Sequence, residues 1–346
     1  ITIRAAHDGA VLIDGEDERR PVHLQGTCGV LEGVNVTRGD NHNVRFMGTH
    51  WTVRRVGSWD LGSHAENQIN LGGTDNTLED CFVFGTGQKQ IQAGSSSQVP
   101  TRNTIRRCFA LWTSTGDSPL PANALEAGYG QSAITVENNI VTWDTTGPTA
   151  QNDGILFTFR TQGSRLLGNI VYATASAQVA PTTLLIALTD GGTPQSQGQY
   201  APSTGNRLRH NVAYLDPANR DFATRRALRF DWQGPGPHGS DNLVEGHVGV
   251  SGVRLSCQAP DYTCTAMQDG ATLAEAIGAG NSLWTDSVAA PGVCYRYHQG
   301  VLTPHPLWPW PMNARILDAM TQAGVTPVDV TATIESLLGN IPDSCR

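Results

Sequence analysis

The stretch Val136-Glu137-Asn138-Asn139-Ile140-Val141 returns as Leu166-Leu167-Gly168-Asn169-Ile170-Val171 and again as Leu208-Arg209-His210-Asn211-Val212-Ala213. Each copy has an aliphatic residue, two mostly polar residues, a fixed fourth position, a variable residue and often a second aliphatic residue. About eight copies occur, and their fourth positions are Val34, Val56, Cys81, Cys108, Asn139, Asn169, Asn211 and His247. Spacings of roughly 22 to 42 residues are typical of a solenoid made of stacked coils.

Short alternating runs precede these copies, among them Val22-His23-Leu24-Gln25, Val44-Arg45-Phe46-Met47 and Ile69-Asn70-Leu71-Gly72. Strand alternation places one set of side chains inside and the other on the outer face. A coil therefore contains three strands, and its polar fourth positions can hydrogen-bond along the stack. Cys81 and Cys108 occupy equivalent positions, so we expect two neighbouring buried thiols rather than a disulfide, whose geometry is demanding.

The composition suits many short strands joined by tight turns. The chain has 346 residues, with 38 glycines and only 16% charged residues, which does not fit a helical bundle. The net charge of −8 argues against a nucleic-acid partner, because phosphate binding needs a dense basic surface. No stretch approaches the roughly 20 apolar residues of a transmembrane helix. Lys89 is the only lysine.

The repeats resemble the right-handed parallel β-helix superfamily, which has the pectate-lyase-like fold. The resemblance is carried by Asn139, Asn169 and Asn211 with their aliphatic neighbours, and by the opening segments 1–6 and 11–15. It implies an all-β fold, a right-handed parallel β-helix solenoid of about eight coils over residues 1–250. Residues 251–346 are expected to form a small mixed tail, with a helix over 312–323, that packs on the solenoid or caps its last coil.

The opening of the chain and its cysteines suggest export. The sequence begins at Ile1 without an initiator methionine and contains seven cysteines, as expected for a processed protein in an oxidising compartment. We therefore predict an extracellular or cell-surface location. Cys257 and Cys264 are candidates for a short-loop disulfide, and Cys294 is a candidate to tie the tail through Cys345.

Many relatives with this fold cleave acidic polysaccharides, so the resemblance implies a sugar site on the outer face of the strand that precedes each repeat. The candidate outward residues are His23, Arg45, Asn70, Gln92, Thr158, Arg160, Arg229 and Asp231. Lytic β-elimination at a uronate needs a base and a group that neutralises the carboxylate. Lys89 and Arg160 are candidate bases, and Asp153 is a candidate ligand for a Ca²⁺ ion. The alternative is that these residues are ordinary solvated charges.

Two pairs of arginines flank fourth positions in different coils, Arg54-Arg55 and Arg106-Arg107. One interpretation is a solvated face in which they pair with acidic residues such as Glu79, Asp80 and Glu137. The other is a basic stripe that contacts an anionic glycan.

Two classes of function remain open. The favoured hypothesis is an exported structural or surface protein that associates end to end with copies of itself, or adheres to glycans. It is favoured because the repeats begin almost at Ile1 without a preceding cap, and because no dense acidic cluster suggests a calcium site or a hydrolase. The alternative is a polysaccharide lyase acting on uronate-containing glycans. A glycan-binding spike of the phage type is a third hypothesis.

Overall fold

The computed structural model describes residues 1–62, 66–94, 101–114, 122–128, 132–143, 152–157, 161–173, 186–189, 204–209, 211–215, 226–231, 241–245, 248–250, 254–257, 262–265, 268–270 and 310–333. Their strands form three sheets in which every neighbouring pair is parallel. Successive strands enter the three sheets in turn, so each coil contributes one strand to each sheet. The three-stranded coil predicted from the sequence is confirmed.

The first sheet contains ten strands, in spatial order β1 (Thr2–Arg4), β4 (Thr27–Glu32), β7 (Thr49–Arg54), β10 (Thr77–Glu79), β13 (Thr104–Arg106), β16 (Thr135–Glu137), β19 (Arg165–Leu167), β22 (Arg207–Arg209), β25 (Asn242–Glu245) and β28 (Tyr262–Thr265). The second sheet also contains ten, β2 (Val11–Asp14), β5 (Val34–Gly39), β8 (Gly57–Leu61), β11 (Phe82–Thr86), β14 (Phe109–Ser114), β17 (Ile140–Trp143), β20 (Ile170–Ala173), β23 (Val212–Leu215), β26 (Val248–Val250) and β29 (Gln268–Gly270).

The third sheet contains nine strands, β3 (Val22–Leu24), β6 (His42–Phe46), β9 (Asn67–Leu71), β12 (Lys89–Ala93), β15 (Ala122–Ala127), β18 (Asn152–Phe157), β21 (Ile186–Thr189), β24 (Arg226–Asp231) and β27 (Arg254–Cys257). Strands β27, β28 and β29 extend the three sheets past residue 250, where the sequence placed the end of the solenoid. Helix α1 runs from Asn313 to Gln322, within the range 312–323 predicted from the sequence, and residues 330–333 are also helical.

The repeated fourth position lies inside the turn between the first and second sheets. Asn169 Oδ1 accepts from the backbone and side-chain nitrogens of Asn139, both at 2.9 Å. Asn211 Oδ1 does the same for Asn169, whose own Nδ2 donates to Val136 O at 3.0 Å. These buried amides satisfy backbone groups that an apolar turn would leave unpaired. The predicted asparagine ladder is confirmed from Asn139 to Asn211, whereas His247 lies outside the described residues.

Polar residues also line one other turn and the start of the third sheet, which the sequence analysis missed. In the turn before the first sheet, the backbone nitrogen of Asn76 donates to Asn103 Oδ1 at 2.8 Å, and that of Asn206 donates to Asn242 Oδ1 at 3.1 Å. At the start of the strands of the third sheet, Asn43 Nδ2 on β6 donates to Gln68 Oε1 on β9 at 2.7 Å. The signal for the first of these was an asparagine two residues before the aliphatic that opens four of the repeats, namely Asn76, Asn103, Asn206 and Asn242.

Cys81 and Cys108 continue the ladder as two buried free thiols. They lie on adjacent coils, between the in-register pairs Leu78–Ile105 and Phe82–Phe109. Burial, with a contribution from the neighbouring Cys81, raises the pKa of the Cys108 thiol. The predicted pair of neighbouring thiols is therefore found.

The tail covers part of the second sheet. The outer face of that sheet is apolar, and Phe82 and Phe109 on it are fully buried. Trp310 packs against Phe109 with a ring separation of 5.8 Å and donates from Nε1 to Arg107 O at 3.0 Å. The guanidinium of Arg315, in α1, lies 5.7 Å from the centre of the Phe82 ring. The second sheet is thus shielded on its outer side by residues from the far end of the chain.

The ladder predicts a large stability loss for Asn169→Leu. The variant removes the acceptor for Asn139 and the donor for Val136 O, and an unpaired buried polar group costs about 1–3 kcal/mol. We expect the free energy of unfolding in urea to fall by about 3 kcal/mol. Arg165→Leu, an exposed position on the same coil, is the control, and equal denaturation midpoints for the two variants would contradict the ladder's role.

Candidate functional site

The outer face of the third sheet carries a continuous row of polar side chains. In-register pairing aligns His23 with Arg45, Arg45 with Asn70, Asn70 with Gln92, and Gln92 with Glu126. The same row continues through Leu156 and Ala187 to Arg229. Five of the predicted outward residues therefore occupy one line across the strands.

A second row lies beside the first at the start of the same strands. It aligns His42, Asn67, Lys89, Asn123 and Asp153 in successive coils. Lys89 and Asp153, predicted as a base and an ion ligand, thus share a row and are separated by one strand. Neither His42 nor Asn67 was among the residues singled out from the sequence.

Hydrogen bonds link the two rows diagonally around Lys89. Its Nζ lies 3.0 Å from Glu126 Oε1, and Gln92 Nε2 donates to the same oxygen at 3.0 Å. Gln92 Oε1 in turn accepts from Asn67 Nδ2 and Asn70 Nδ2, each at 2.8 Å. These five residues, called here the Lys89 network, form a connected path of donors that ends at the Glu126 carboxylate.

The Lys89 network is withdrawn from solvent although it lies outside the coil. Lys89 is 7% exposed, Gln92 4% and Glu126 2%, so the interpretation of Lys89 as an ordinary solvated charge is wrong. Burial strengthens electrostatic interactions and makes an unpaired charge costly. Removing either the Lys89 ammonium or the Glu126 carboxylate would therefore leave the other charge buried without this partner.

Within the described part of the chain, several buried polar atoms in these rows have no hydrogen-bond partner. They are Asn67 Oδ1, Asn70 Oδ1, His42 Nδ1 and Arg45 Nε. Buried polar groups are nearly always paired, so each such atom needs an explanation. The amide oxygens of Asn67 and Asn70 are hydrogen-bond acceptors, the type of group that binds a sugar hydroxyl. The Lys89 ammonium beside them is the type of group that binds a carboxylate.

His42 is held as a neutral imidazole. Burial, together with the positive charges of Arg45 and Arg20, lowers its pKa to about 3. Partial burial, followed by the charges of the same two arginines, lowers the pKa of His23. The beginning of the third sheet is therefore electropositive without relying on protonated histidines.

On the first coils of the first sheet, in contrast, arginines are paired with carboxylates. Arg54 Nη2 lies 3.0 Å from Glu32 Oε2, and Arg106 Nε donates to Glu79 Oε2 at 2.9 Å. Arg107 Nε donates to Asp80 Oδ1 at 2.7 Å. The solvated, paired interpretation of the arginine pairs is confirmed, and the basic stripe is wrong.

The remaining residues predicted from the sequence lie outside the polar rows or outside the described residues. Asp231 belongs to β24, where it aligns with Thr189 rather than with the polar row. Thr158, Arg160, Cys294 and Cys345 lie outside the described residues. Cys257 ends β27 and Cys264 lies in β28, on different sheets. The three described cysteines whose side chains are placed, Cys28, Cys81 and Cys108, are free.

Glu126 is the functional candidate that sequence reasoning missed. The sequence analysis recognised no strand between Ala122 and Ala127, although Leu125-Glu126-Ala127 alternates as the other outer-row segments do. Among the side chains that the structure places, no three acidic, histidine or cysteine residues are grouped so that they could hold a metal ion.

Comparison with solved structures identifies the fold. The A-module of the mannuronan C-5 epimerase AlgE6 from Azotobacter vinelandii superposes with a TM-score of 0.50 at 12% identity, over 78% of this chain and 80% of that one. The chain is a parallel β-helix. A mannuronic acid specific family 6 polysaccharide lyase from human gut microbiota covers 76% of this β-helix chain and 73% of its own, at 11% identity and a TM-score of 0.35.

A third similar structure is the catalytic domain of a GH87 alpha-1,3-glucanase, which gives 11% identity and a TM-score of 0.27 over 77% of this β-helix chain and 63% of its own. All three neighbours are enzymes that act on polysaccharides. No protein-family model matches the sequence, and no curated protein is similar to it. Within the described residues, no helix is long and apolar enough to cross a membrane.

The neutral state of His42 predicts a pH-dependent stability difference. Its folded pKa of about 3 lies below the usual value near 6.5, so the unfolded state binds a proton first as the pH falls. The contribution is complete above about pH 6.5 and is lost toward pH 3, by up to about 1.4 kcal/mol per pH unit. Urea denaturation between pH 7 and 4 should show wild type losing more stability than His42→Gln. His50→Gln, an exposed histidine, is the control, and parallel curves for wild type and His42→Gln would refute the assignment.

Proposed function

We propose that this β-helix is an extracellular enzyme acting on an acidic polysaccharide that lies across the outer face of the third sheet. The observation that carries the proposal is the Lys89 network, in which Lys89 Nζ is held 3.0 Å from Glu126 Oε1 beside two unpartnered amide oxygens. A buried ion pair gives weak support to stability alone, since a well-packed apolar pair is often as stabilising. The fold shared with a mannuronan C-5 epimerase agrees with this choice, although fold alone does not determine function.

The chemistry we propose begins at C5 of a uronate. Removing the C5 proton leaves negative charge that delocalises onto the adjacent carboxylate, and preorganised positive groups stabilise such charge most effectively in a water-poor site. The Lys89 ammonium, oriented by Glu126, is placed for this role. Asn67 and Asn70, which donate to Gln92 Oε1, would hold Gln92 and through it Glu126 in place beneath the sugar.

This assignment changes the role first given to Lys89. A base must be unprotonated to accept a proton, whereas the Lys89 amino group donates to a carboxylate. We therefore propose that Lys89 stabilises charge. The same objection applies to Arg160, the other candidate base, because a guanidinium also stays protonated, so we propose that the C5 proton passes to a neutral group other than these two side chains. Asp153, two strands from Lys89 in the same row, remains a candidate ligand if a Ca²⁺ ion helps to neutralise the uronate.

The intermediate formed at C5 has two outcomes. Loss of the sugar substituent at C4 gives an unsaturated product, which is the lyase reaction, and return of a proton to the opposite face gives the epimer. Both begin with the same proton abstraction, so exchange of the C5 hydrogen with deuterated water detects either one. Ultraviolet absorbance of unsaturated uronate then separates elimination from epimerisation.

The test is C5 exchange on polymannuronate, polyguluronate and pectate with wild type, Lys89→Gln and Lys89→Arg. Loss of a preorganised charge-stabilising donor typically lowers a rate about 10²- to 10³-fold. We expect that loss for Lys89→Gln, with partial rescue by Lys89→Arg because the positive charge is kept. Arg54→Gln, on the first sheet, should exchange at the wild-type rate.

Circular dichroism and melting temperature show whether each variant is folded. If Lys89→Gln is folded and exchanges as fast as wild type, the assignment of Lys89 is wrong. If wild type exchanges none of these glycans, and neither releases sugars nor forms unsaturated products from a wider set of acidic polysaccharides, the enzymatic proposal is wrong.

End-to-end association is a second candidate function, favoured by the first coil. Ile1 is 85% exposed there, and Ile3, Val11 and Leu12 are between 41% and 50% exposed. Strands β1 and β2 lie at the ends of their sheets, and an exposed apolar strand edge is a template for strand pairing. Sedimentation velocity should then show polymers that Ile3→Lys/Leu12→Lys disperses. Monomers at all concentrations would contradict this function, and Thr27→Lys, exposed on the second coil, is the control.

A further inference from the structure

The first two strands of the third sheet hold a second polar group outside the Lys89 network. His23 on β3 and Arg45 on β6 are in-register neighbours, and His42 lies on the same strand as Arg45. Arg20 precedes β3, close enough that its charge lowers the pKa of both Arg45 and His42. These four residues are called here the Arg45 cluster.

The Arg45 cluster has an excess of positive charge. Among the described residues, neither Arg20 nor Arg45 forms an ion pair, whereas Arg54 and Arg106 on the first sheet each meet a glutamate. Burial is the main cause that lowers the pKa of Arg45, and repulsion by Arg20 adds to it. The nearby carboxylate is the exposed Glu66, whose Oε2 lies 3.6 Å from His42 Nε2.

Unused hydrogen-bonding atoms accompany this charge. Among the residues that the structure describes, no partner is found for the buried Arg45 Nε or for Nδ1 of His42, a residue only 3% exposed. Elsewhere in the described chain, arginines commonly satisfy carboxylates through Nε and a terminal nitrogen together, as Arg102 does with Asp75 at 2.6 Å. Arg45, with the charge of Arg20 near enough to act on it and without such an acceptor, forms a site complementary to an anion.

We infer that the Arg45 cluster binds an anionic substituent of the glycan, a carboxylate or a sulfate, on a sugar other than the one that reacts. The inference rests on the proposed function for the direction of the glycan, which runs across the strands from β6 to β15. Strand β6 is two steps from β12, which carries Lys89, so the two sites are about 10 Å apart. A single sugar ring does not reach both, and the enzyme therefore selects oligosaccharides over shorter substrates.

The test is a length series of oligouronates, with turnover and calorimetric binding measured for wild type, Arg45→Gln and Arg20→Gln/Arg45→Gln. A charge-assisted hydrogen bond contributes about 10- to 100-fold to affinity. We expect KM and Kd for the long oligomers to rise by about that factor in Arg45→Gln, with kcat unchanged. For the shortest substrate that turns over, wild type and variant should be the same. Arg54→Gln is the matched control.

The outcomes separate this inference from the proposed function. If wild type turns over oligouronates and Arg45→Gln is indistinguishable from it at every length, the subsite is wrong and the enzymatic proposal stands. An equal loss at all lengths also overturns the subsite, because it places Arg45 at the reacting sugar. If wild type neither binds nor converts any length, both proposals fall. Competition by a sulfated, uronate-free oligosaccharide that Arg45→Gln abolishes would identify sulfate as the substituent, and competition by oligouronates alone would identify the carboxylate.

Discussion

Each coil of this β-helix is bonded to the next through three parallel strands, and the register of those strands is the constraint on which the rest depends. Because the pairing is in register, a residue type at one position of the coil becomes a row along the molecule. Inward rows must be apolar or able to bond to the next coil, since the turns bury backbone groups that need partners. The amide ladder from Asn139 to Asn211 meets that requirement.

The same register also determines the polarity and the charge pairing of each sheet's outer face. On the first sheet, Glu32, Arg54, Glu79 and Arg106 alternate in charge from strand to strand and neutralise one another. The outer face of the second sheet is apolar and is shielded by Trp310 and α1. Only on the third sheet do the placed side chains combine a buried ion pair, unpartnered amides and arginines without acidic partners. That difference, rather than the resemblance in fold, is the reason for placing the active surface there.

Much of the architecture could be predicted from the sequence, because the repeat and strand alternation are local. The ladder, the coil of three strands, helix α1 and the row from His23 to Gln92 all follow from spacing. The pairing of Lys89 with Glu126 could not be predicted in this way. These residues are 37 positions apart, with β13 and β14 between them, and the strand that places Glu126 on the next coil was not predicted from the sequence.

Burial was equally hard to predict. Alternation indicates that Asn70 and Gln92 point away from the coil, and Lys89 was considered as an ordinary solvated charge, yet all three side chains are buried. Similarly, Arg54 and Arg45 look alike in sequence, and only their neighbours on adjacent coils distinguish a matched charge from an unmatched one. The burial and pairing of an outer side chain therefore depend on its neighbours in the adjacent coils.

We propose that the glycan binds on the outer face of the third sheet. A crystal structure of the protein with an oligouronate bound tests this most directly. We expect the oligosaccharide to cross strands β6 to β15, with one carboxylate at Lys89 and another anionic group at Arg45. A glycan bound instead along the first sheet, or at either end of the solenoid, would contradict the account.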